Sequence, residues 1–219
     1  MRCALRSDKE GIMLVELSVK DFMAEVASDS PAPGGGSVSA MAASAGAGLV
    51  AMLANLTKDK KGYEDVHAEM AEVAADCEKW SARFLAVIDE DTRAFEAYME
   101  AIKMPKDSDN EKQIRSNAMQ SAMKNATLVP MQLARNAFGL FEKAEYALKH
   151  GNKYALSDGA VGLLMLRSGI LGALYNVRIN IGSIKDEDFV HDIGQEAEKI
   201  EAEVLQAERD VLEKISFNG

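Results

Sequence analysis

The sequence predicts an all-α fold, a bundle of long, mostly antiparallel helices with two small-residue-rich helices at its centre. Three observations carry this prediction. Only four prolines interrupt 219 residues, and Ala, Met, Glu and Lys are abundant while aromatic residues make up 6%, a composition that favours helix over strand. Apolar residues recur at intervals of three and four through most of the chain, as amphipathic helices require. No segment alternates apolar and polar residues with the period of two that marks a half-buried strand.

Taken in chain order, Ser18 followed three residues later by Asp21 marks a helix start, a weaker relative of the capping box. The run Ser30-Pro31-Ala32-Pro33-Gly34-Gly35-Gly36-Ser37 comes next. Its prolines hold the approach extended, and its three glycines let the backbone come close to a ligand or another helix. Residues 38–56 carry no charge and are rich in Ala, Gly and Ser, which predicts a tightly packed helix. Its first N–H groups have no intrahelical partners and point back at the glycines, forming a seat for an anionic group. Close packing alone also explains those glycines. The loop is not a Walker P-loop, because the Lys of GxxxxGK[ST] is missing.

A long helix is predicted from about residue 63 to 103. Its seam is Val66, Met70, Val73, Cys77, Trp80, Phe84, Val87, Asp91, Phe95, Tyr98 and Ile102. Asp91 interrupts this apolar stripe, with Glu90 beside it. A carboxylate facing a core costs free energy unless it is paired or hydrogen-bonded, so Asp91 is either a functional group or a residue at the stripe's wet edge. Met104-Pro105 and the polar run to Asn110 end that helix. A second long helical stretch then runs to about His150, with a kink expected at Pro130 and Gly151 closing it. Ser157 and Asp158, either of which makes a good N-cap, precede the second apolar helix in the stretch 155–177. The final helix starts near Asp186-Glu187-Asp188, whose acids suit its positive N-terminus. Its stripe is Phe189, Ile193, Ala197, Ile200, Val204, Ala207, Val211 and Ile215.

The two apolar stretches are each about long enough to span a bilayer at ~20 residues. The first, however, carries Ser39, Ser44, Asn55 and several glycines, and the second carries Asp158, Arg167 and Asn176. Helices of this kind belong at the centre of a bundle. No linker or internal repeat is visible. The expected organisation is a ragged N-terminal extension, residues 1–16, with Met13 as an alternative start, followed by one helical domain, residues 17–219.

Composition narrows the function. A net charge of −10 argues against general nucleic-acid binding, which needs basic surface to neutralise phosphates. Cys3 and Cys77 are too few for a disulfide framework or a zinc site. His67, His150 and His191 stand in scattered polar contexts without HExxH spacing, so no metal site is expected. No GxSxG element or Cys–His signature stands out. Residues 1–12 lack the apolar segment of a signal peptide, and the expected location is the cytoplasm.

Three polar constellations remain. Thr57-Lys58-Asp59-Lys60-Lys61-Gly62-Tyr63 closes the first apolar helix; its lysines complement the negative helix C-terminus or gather an anionic ligand on an acidic protein. In Gly151-Asn152-Lys153-Tyr154-Ala155-Leu156-Ser157-Asp158 one of the last two residues serves as a cap, and the other is free to face a pocket. Asn176 and Asn180, four apart, share a helix face while Arg178 points elsewhere. The paired amides either satisfy each other or read the polar edge of a heterocycle.

In order along the chain, Pro-x-Pro-Gly-Gly-Gly-Ser at 31–37, Leu-Thr-x-x-Lys-Lys-x-Tyr at 56–63, Asp-x-x-Ala-Phe at 91–95, Gly-Asn-x-x-x-x-Ser-Asp at 151–158 and Asn-Val-x-Ile-Asn at 176–180 resemble the C-terminal domain family of formiminotransferase-cyclodeaminase. The resemblance runs from about residue 17 to the C-terminus. One departure is Ala32, where many relatives have Thr. The family includes the cyclodeaminase half of the bifunctional folate enzyme, stand-alone bacterial cyclodeaminases and methenyltetrahydrofolate cyclohydrolases. The motifs match the cyclodeaminase half alone, so formiminotransferase activity is not implied.

The resemblance implies an all-helical homodimer and a site for tetrahydrofolate derivatives, with or without polyglutamate tails. It implies no metal and no cofactor beyond the tetrahydrofolate substrate. The first activity implied is that of a formiminotetrahydrofolate cyclodeaminase, an ammonia lyase of histidine degradation that forms 5,10-methenyltetrahydrofolate. The alternative is a methenyltetrahydrofolate cyclohydrolase giving 10-formyltetrahydrofolate. A non-catalytic helical scaffold, with the glycines and asparagines serving dimer packing alone, is the reading from a different class.

By motif position, Asp158 is the leading acid/base candidate and Asp91 is second, or a stabiliser of the cationic product. Gly34, Gly35, Gly36 and Ser37, with Ser157, shape the pterin or one-carbon pocket. Asn152, Asn176 and Asn180 hydrogen-bond the pterin, and Lys60 and Lys61, with Arg178, hold the carboxylates of the glutamate tail.

Overall fold

The computed structural model describes residues 13–215, and residues 1–12 of the extension expected at 1–16 lie outside them. Among the described residues the regular structure is helical throughout: α1 (Val19–Val26), α2 (Gly35–Asn55), α3 (His67–Lys103), α4 (Asp109–Phe138), α5 (Phe141–His150), α6 (Leu156–Ile181) and α7 (Glu187–Leu212), with short 3-10 turns at Leu14–Glu16, Glu64–Val66 and Lys153–Ala155. The all-α prediction holds.

Helices α2, α3, α4 and α6 form the core, with α2 packed against α3 and α6, and α4 closing the ring between α3 and α6. Helix α7 lies against the outer side of α6 and α4, and α5 covers one end. Two periodicities account for this arrangement. The predicted α3 seam is buried at Met70, Val73, Cys77, Phe84 and Val87, and the α7 stripe is buried at Ile193, Ala197, Ile200, Val204 and Val211. Helix α2 has no comparable stripe: it is buried on most sides, with Ala40, Ala43, Ala47, Val50, Leu53 and Ala54 fully enclosed.

Small residues let α2 and α6 approach closely, and the contacts run antiparallel. Ser39 and Ala43 meet Gly169 and Gly172, Gly46 meets Gly162 and Leu166, and Leu53 meets Gly159. On its other side α2 also runs antiparallel to α3. Ser44 Oγ donates to the Ser81 carbonyl at 2.9 Å, while Ser81 Oγ donates to the Ser44 carbonyl at 3.0 Å. Both α2 and α6 are long and apolar enough to cross a membrane, but 61% and 50% of their most apolar windows are buried inside the bundle.

Several boundaries differ from expectation for local reasons. Helix α2 begins at Gly35, not after the glycines, so Gly35 and Gly36 form its first turn and Gly34 is the N-cap. Helix α6 begins at Leu156 with Ala155 in the capping position. Ser157 and Asp158 therefore cap nothing: they sit inside the first turn, where the Asp158 carboxylate complements the helix dipole. The stretch expected to run to His150 is divided at Gly139-Leu140 into α4 and α5. A capping box at Ser108 and Glu111 starts α4, and Asp186 caps α7 by accepting the Phe189 N–H at 3.1 Å. The segment Leu14–Glu16 packs on the core, and the Leu14 N–H donates to Asp89 Oδ1 at 2.7 Å.

Pro130 is tolerated within α4 because another helix repairs what it removes. Proline lacks the N–H that would satisfy the carbonyl four residues earlier, which is that of Ala126. Asn180 Nδ2 on α6 donates to that carbonyl at 2.9 Å. Replacing Asn180 by Ala leaves the carbonyl without its donor and is expected to cost about 1–2 kcal/mol in urea denaturation. In a Pro130→Ala background, where a backbone N–H is restored, the same substitution is expected to cost clearly less; an equal cost in both backgrounds would show that the two residues are not coupled.

Candidate active site

The residues singled out in the sequence gather into two clusters, one at each end of α2. The first lies at its N-terminus. Ser37 is fully buried in the opening turn of α2, and its Oγ lies 3.0 Å from Asp91 Oδ2 and 3.1 Å from the Ile88 carbonyl on α3. The Ser37 backbone N–H also donates to the Asp91 carboxylate. Helix α2 has no side-chain cap of its own, so Asp91 supplies one from the neighbouring helix. Gly36 makes this approach possible: a Cβ at position 36 would fall 2.1 Å from Asp91 Oδ1. On the opposite flank, a Cβ at Gly35 would come within 3.1 Å of Asn176 Nδ2, which itself donates to the Gly172 carbonyl at 2.8 Å.

The electrostatics of Asp91 follow from this setting. Burial pushes its carboxyl above the usual carboxylate range, and the hydrogen bonds from the Ser37 hydroxyl and amide offset only part of that rise. A carboxyl in this condition is fitted to exchange protons at moderate pH.

The second cluster lies at the C-terminal end of α2. Thr57, fully buried, donates from Oγ1 to the Leu53 carbonyl at 2.7 Å and accepts the Asn152 N–H at 2.9 Å. Asn152 Nδ2 reaches the Leu56 carbonyl at 3.3 Å, and its Oδ1 accepts the Tyr154 N–H at 3.2 Å. Tyr63 accepts the Lys153 N–H on its hydroxyl at 3.2 Å. The motifs at 56–63 and 151–158 are thereby joined into one corner. Here Lys60 and Lys153 place their Nζ atoms 5.6 Å and 5.4 Å from the centre of the exposed Tyr154 ring. Lys61 and Ser157 are exposed and Asp158 is half-buried. Gly62, with φ of +91°, makes the turn that brings the lysines round.

The corner therefore gathers Lys60, Lys61, Asn152, Ser157 and Asp158, while the other end gathers Gly34, Gly35, Gly36, Ser37, Asp91 and Asn176. Two residues belong to neither. Arg178 is committed to Glu201 of α7, which raises its pKa, and its guanidinium lies 5.8 Å from the Tyr175 ring. Asn180 is committed to the carbonyl freed by Pro130. Sequence reading missed Thr57, Tyr63, Lys153 and Tyr154 as partners in the lysine corner; their proximity within the two motifs was the available signal. Across the 21 residues of α2 the two clusters stand about 30 Å apart at 1.5 Å per residue. Among the described residues no group of three or more His, Cys, Asp or Glu is arranged to hold a metal ion.

Comparison with known proteins gives a consistent answer. The profile of the formiminotransferase-cyclodeaminase family matches residues 18–199. Formimidoyltransferase-cyclodeaminase of Gallus gallus is 36% identical over 208 residues, covering 95% of this chain and 38% of the relative. The chain thus spans well under half of that bifunctional protein. Methenyltetrahydrofolate cyclohydrolase of Methylorubrum extorquens is 33% identical over 90% of this chain and 95% of its own length. The crystal structure of formiminotetrahydrofolate cyclodeaminase from Thermotoga maritima superposes with a TM-score of 0.80 at 33% identity, covering 90% of this chain and 94% of that one. With its fold, its ordered motifs and these matches in agreement, the chain belongs to the formiminotransferase-cyclodeaminase family.

Proposed function

We propose that this protein is a cytoplasmic folate one-carbon enzyme, a cyclodeaminase that converts 5-formiminotetrahydrofolate to 5,10-methenyltetrahydrofolate and ammonia. That reaction belongs to histidine degradation. The observation that carries the reading is the partly buried Asp91, its pKa raised, held against Ser37 at the N-terminus of α2. N10 attacks the formimino carbon, a tetrahedral centre forms between N5 and N10, and ammonia leaves. One group must take the N10 proton and another must protonate the departing nitrogen. A carboxyl with a raised pKa does either, and once ionised it steadies the cationic product. Asp91 fits this work better than Asp158, reversing the order expected from the sequence. No metal and no cofactor beyond the folate itself enters the scheme.

The distance between the clusters bears on assembly. Helix α2 with its C-cap exposes Met52 and Leu56, and α6 exposes Val161, Leu164, Tyr175 and Ile179; large apolar side chains left exposed in number are of the kind that marks an interface. A second copy of the chain is the occupant that accounts for both facts. A twofold axis perpendicular to α2 sets the two copies antiparallel. The Asp158 and lysine corner of one protomer then meets the Asp91 end of the other. In this homodimer Asn176 and the α2 glycines border the pterin, and Lys60 and Lys61 receive the glutamate carboxylates.

The second reading is the cyclohydrolase, favoured by the match along 95% of the Methylorubrum extorquens enzyme. In it, water attacks the same methenyl carbon. Absorbance at the methenyltetrahydrofolate band separates the two. Rising signal with ammonia release from 5-formiminotetrahydrofolate supports the cyclodeaminase. Decay of methenyltetrahydrofolate faster than the buffer blank, without the first activity, replaces it with the cyclohydrolase. Silence in both, with no thermal stabilisation by folate, returns the chain to a scaffold.

A further inference from the structure

We propose that Ser37 is a positioning residue that sets the ionisation of Asp91 by reversing the direction of one hydrogen bond, an inference that rests on the reading of Asp91 as the proton-transfer group. The Ser37 hydroxyl carries a single proton but has three oxygen neighbours: Asp91 Oδ2 at 3.0 Å, the Ile88 carbonyl at 3.1 Å and Thr92 Oγ1 at 3.4 Å. It is fully buried, so water does not supply alternatives. Only one of the three receives the proton at a time.

When Asp91 is ionised, the Ser37 hydroxyl donates to Oδ2, and Thr92 Oγ1, 3.4 Å from the Ile88 carbonyl, turns its own proton there. When Asp91 is protonated, the carboxyl proton is donated to Ser37 Oγ, and the Ser37 proton swings to the Ile88 carbonyl. Each protonation state thus has a fully satisfied arrangement, reached by rotating hydroxyls and without moving the backbone. An alanine at position 37 keeps the amide that caps from α2 but removes the switching hydroxyl. The ionised state loses more by this than the protonated one, because hydrogen bonds to a charged acceptor are the stronger ones.

The neighbours of Asp91 leave this effect to Ser37. Helix α2 carries no charged side chain. On α3, Glu90 is forked onto Arg83, Asp89 accepts the Leu14 N–H, and Arg93 is exposed. On α6, the nearby Asn176 is neutral and bound to its own helix. Within one protomer, burial and the two groups of Ser37 account for the state of the carboxyl, and no ionised side chain of the same chain contributes.

The test is a carbon-13 titration of the full-length chain labelled at the aspartate carboxyl carbons, with the Asp91 resonance assigned by its absence in Asp91→Asn. In Ser37→Ala the Asp91 titration is expected to move upward by about one pH unit, a tenfold change in proton affinity. Ser37→Cys, which keeps the volume and a weak donor, is expected to fall between the two and covers the case in which the alanine variant does not fold. The Asp91-dependent limb of the turnover profile moves with the resonance. An Asp91 resonance that titrates at the wild-type pH in the folded variants overturns the proposal. The reading of Asp91 itself is judged separately: wild-type turnover in Asp91→Asn overturns that reading, whatever the titration of the serine variants.

Discussion

Asp91→Asn is expected to lower turnover by about 10²–10⁴-fold while the protein becomes more stable at neutral pH. Both effects have one cause. The carboxyl is partly buried at the start of α2 and its pKa is raised, so the folded state binds the proton more tightly than the unfolded chain, whose aspartates titrate near 4. Between those two pKa values the native protein holds more protons, and its stability falls as pH rises through the window. Above the raised pKa the fold carries the full cost of a buried charge. Asparagine removes that charge and still accepts the Ser37 hydrogen bonds, so thermal unfolding at neutral pH should shift upward and its pH dependence should flatten. A variant that loses activity and stability together would mean that Asp91 is a capping residue and not a strained functional group. Gly36→Ala approaches the same group from the other side. Its methyl would stand 2.1 Å from Oδ1, so it displaces the carboxylate and should reproduce the loss of turnover without the gain in stability.

The largest stability effect is expected at the crossing of α2 and α6. A Cβ at Gly46 would lie 2.6 Å from the Leu166 nitrogen and 2.7 Å from the Gly162 carbonyl. Both are backbone atoms of a rigid helix, so no side-chain rotation relieves the clash and the helices must separate. Gly46→Ala is expected to destabilise the protein by about 3 kcal/mol, at the upper end of overpacking costs. Gly194→Ala is the matched comparison. It too lies inside a helix, but its added methyl meets only Ile181 Cδ1 at 3.9 Å, and the gain in helix propensity should stabilise by up to about 1 kcal/mol. Equal outcomes for the two substitutions in chemical denaturation would remove close helix approach as the reason for the small residues of α2.

Much of this fold was legible before any coordinates. The α3 seam is written in intervals of three and four, and it drew attention to Asp91 because a carboxylate stands where the period demands an apolar residue. Asp186 was recognisable as a helix start because acids gather at a positive N-terminus. The start of α2 was misplaced by about one turn because Gly35 and Gly36 were read as loop residues. In fact they are helical, and the reason for glycine there is the carboxylate of another helix, which no local pattern encodes. Ser157 and Asp158 were read as caps for the mirror-image reason: the chain enters α6 through a 3-10 turn capped by Asn152, so the helix needs no second cap.

The site was legible only as a list. Motif order names residues without saying which ones meet, and the length of α2 keeps Asp91 and Asp158 apart in a single chain. Asn180 shows the same limit on a smaller scale. Its spacing from Asn176 suggested a shared ligand, whereas its partner is a carbonyl orphaned by a proline 50 positions earlier in another helix. The clue lay at Pro130, four residues beyond the carbonyl it frees.

The account turns on whether the two ends of α2 act together across two copies of the chain, and subunit mixing tests this directly. Asp91→Asn and Asp158→Asn are each expected to be nearly inactive as pure proteins. When they are unfolded together in equal amounts and refolded, half of the dimers pair one variant with the other, and each such dimer has one site with both carboxylates intact. Recovery of roughly a quarter of wild-type activity is the expected result for a site shared between protomers. A mixture as inactive as its components, with mixed dimers demonstrated by mass, would place both carboxylates in the same protomer's site and contradict the account.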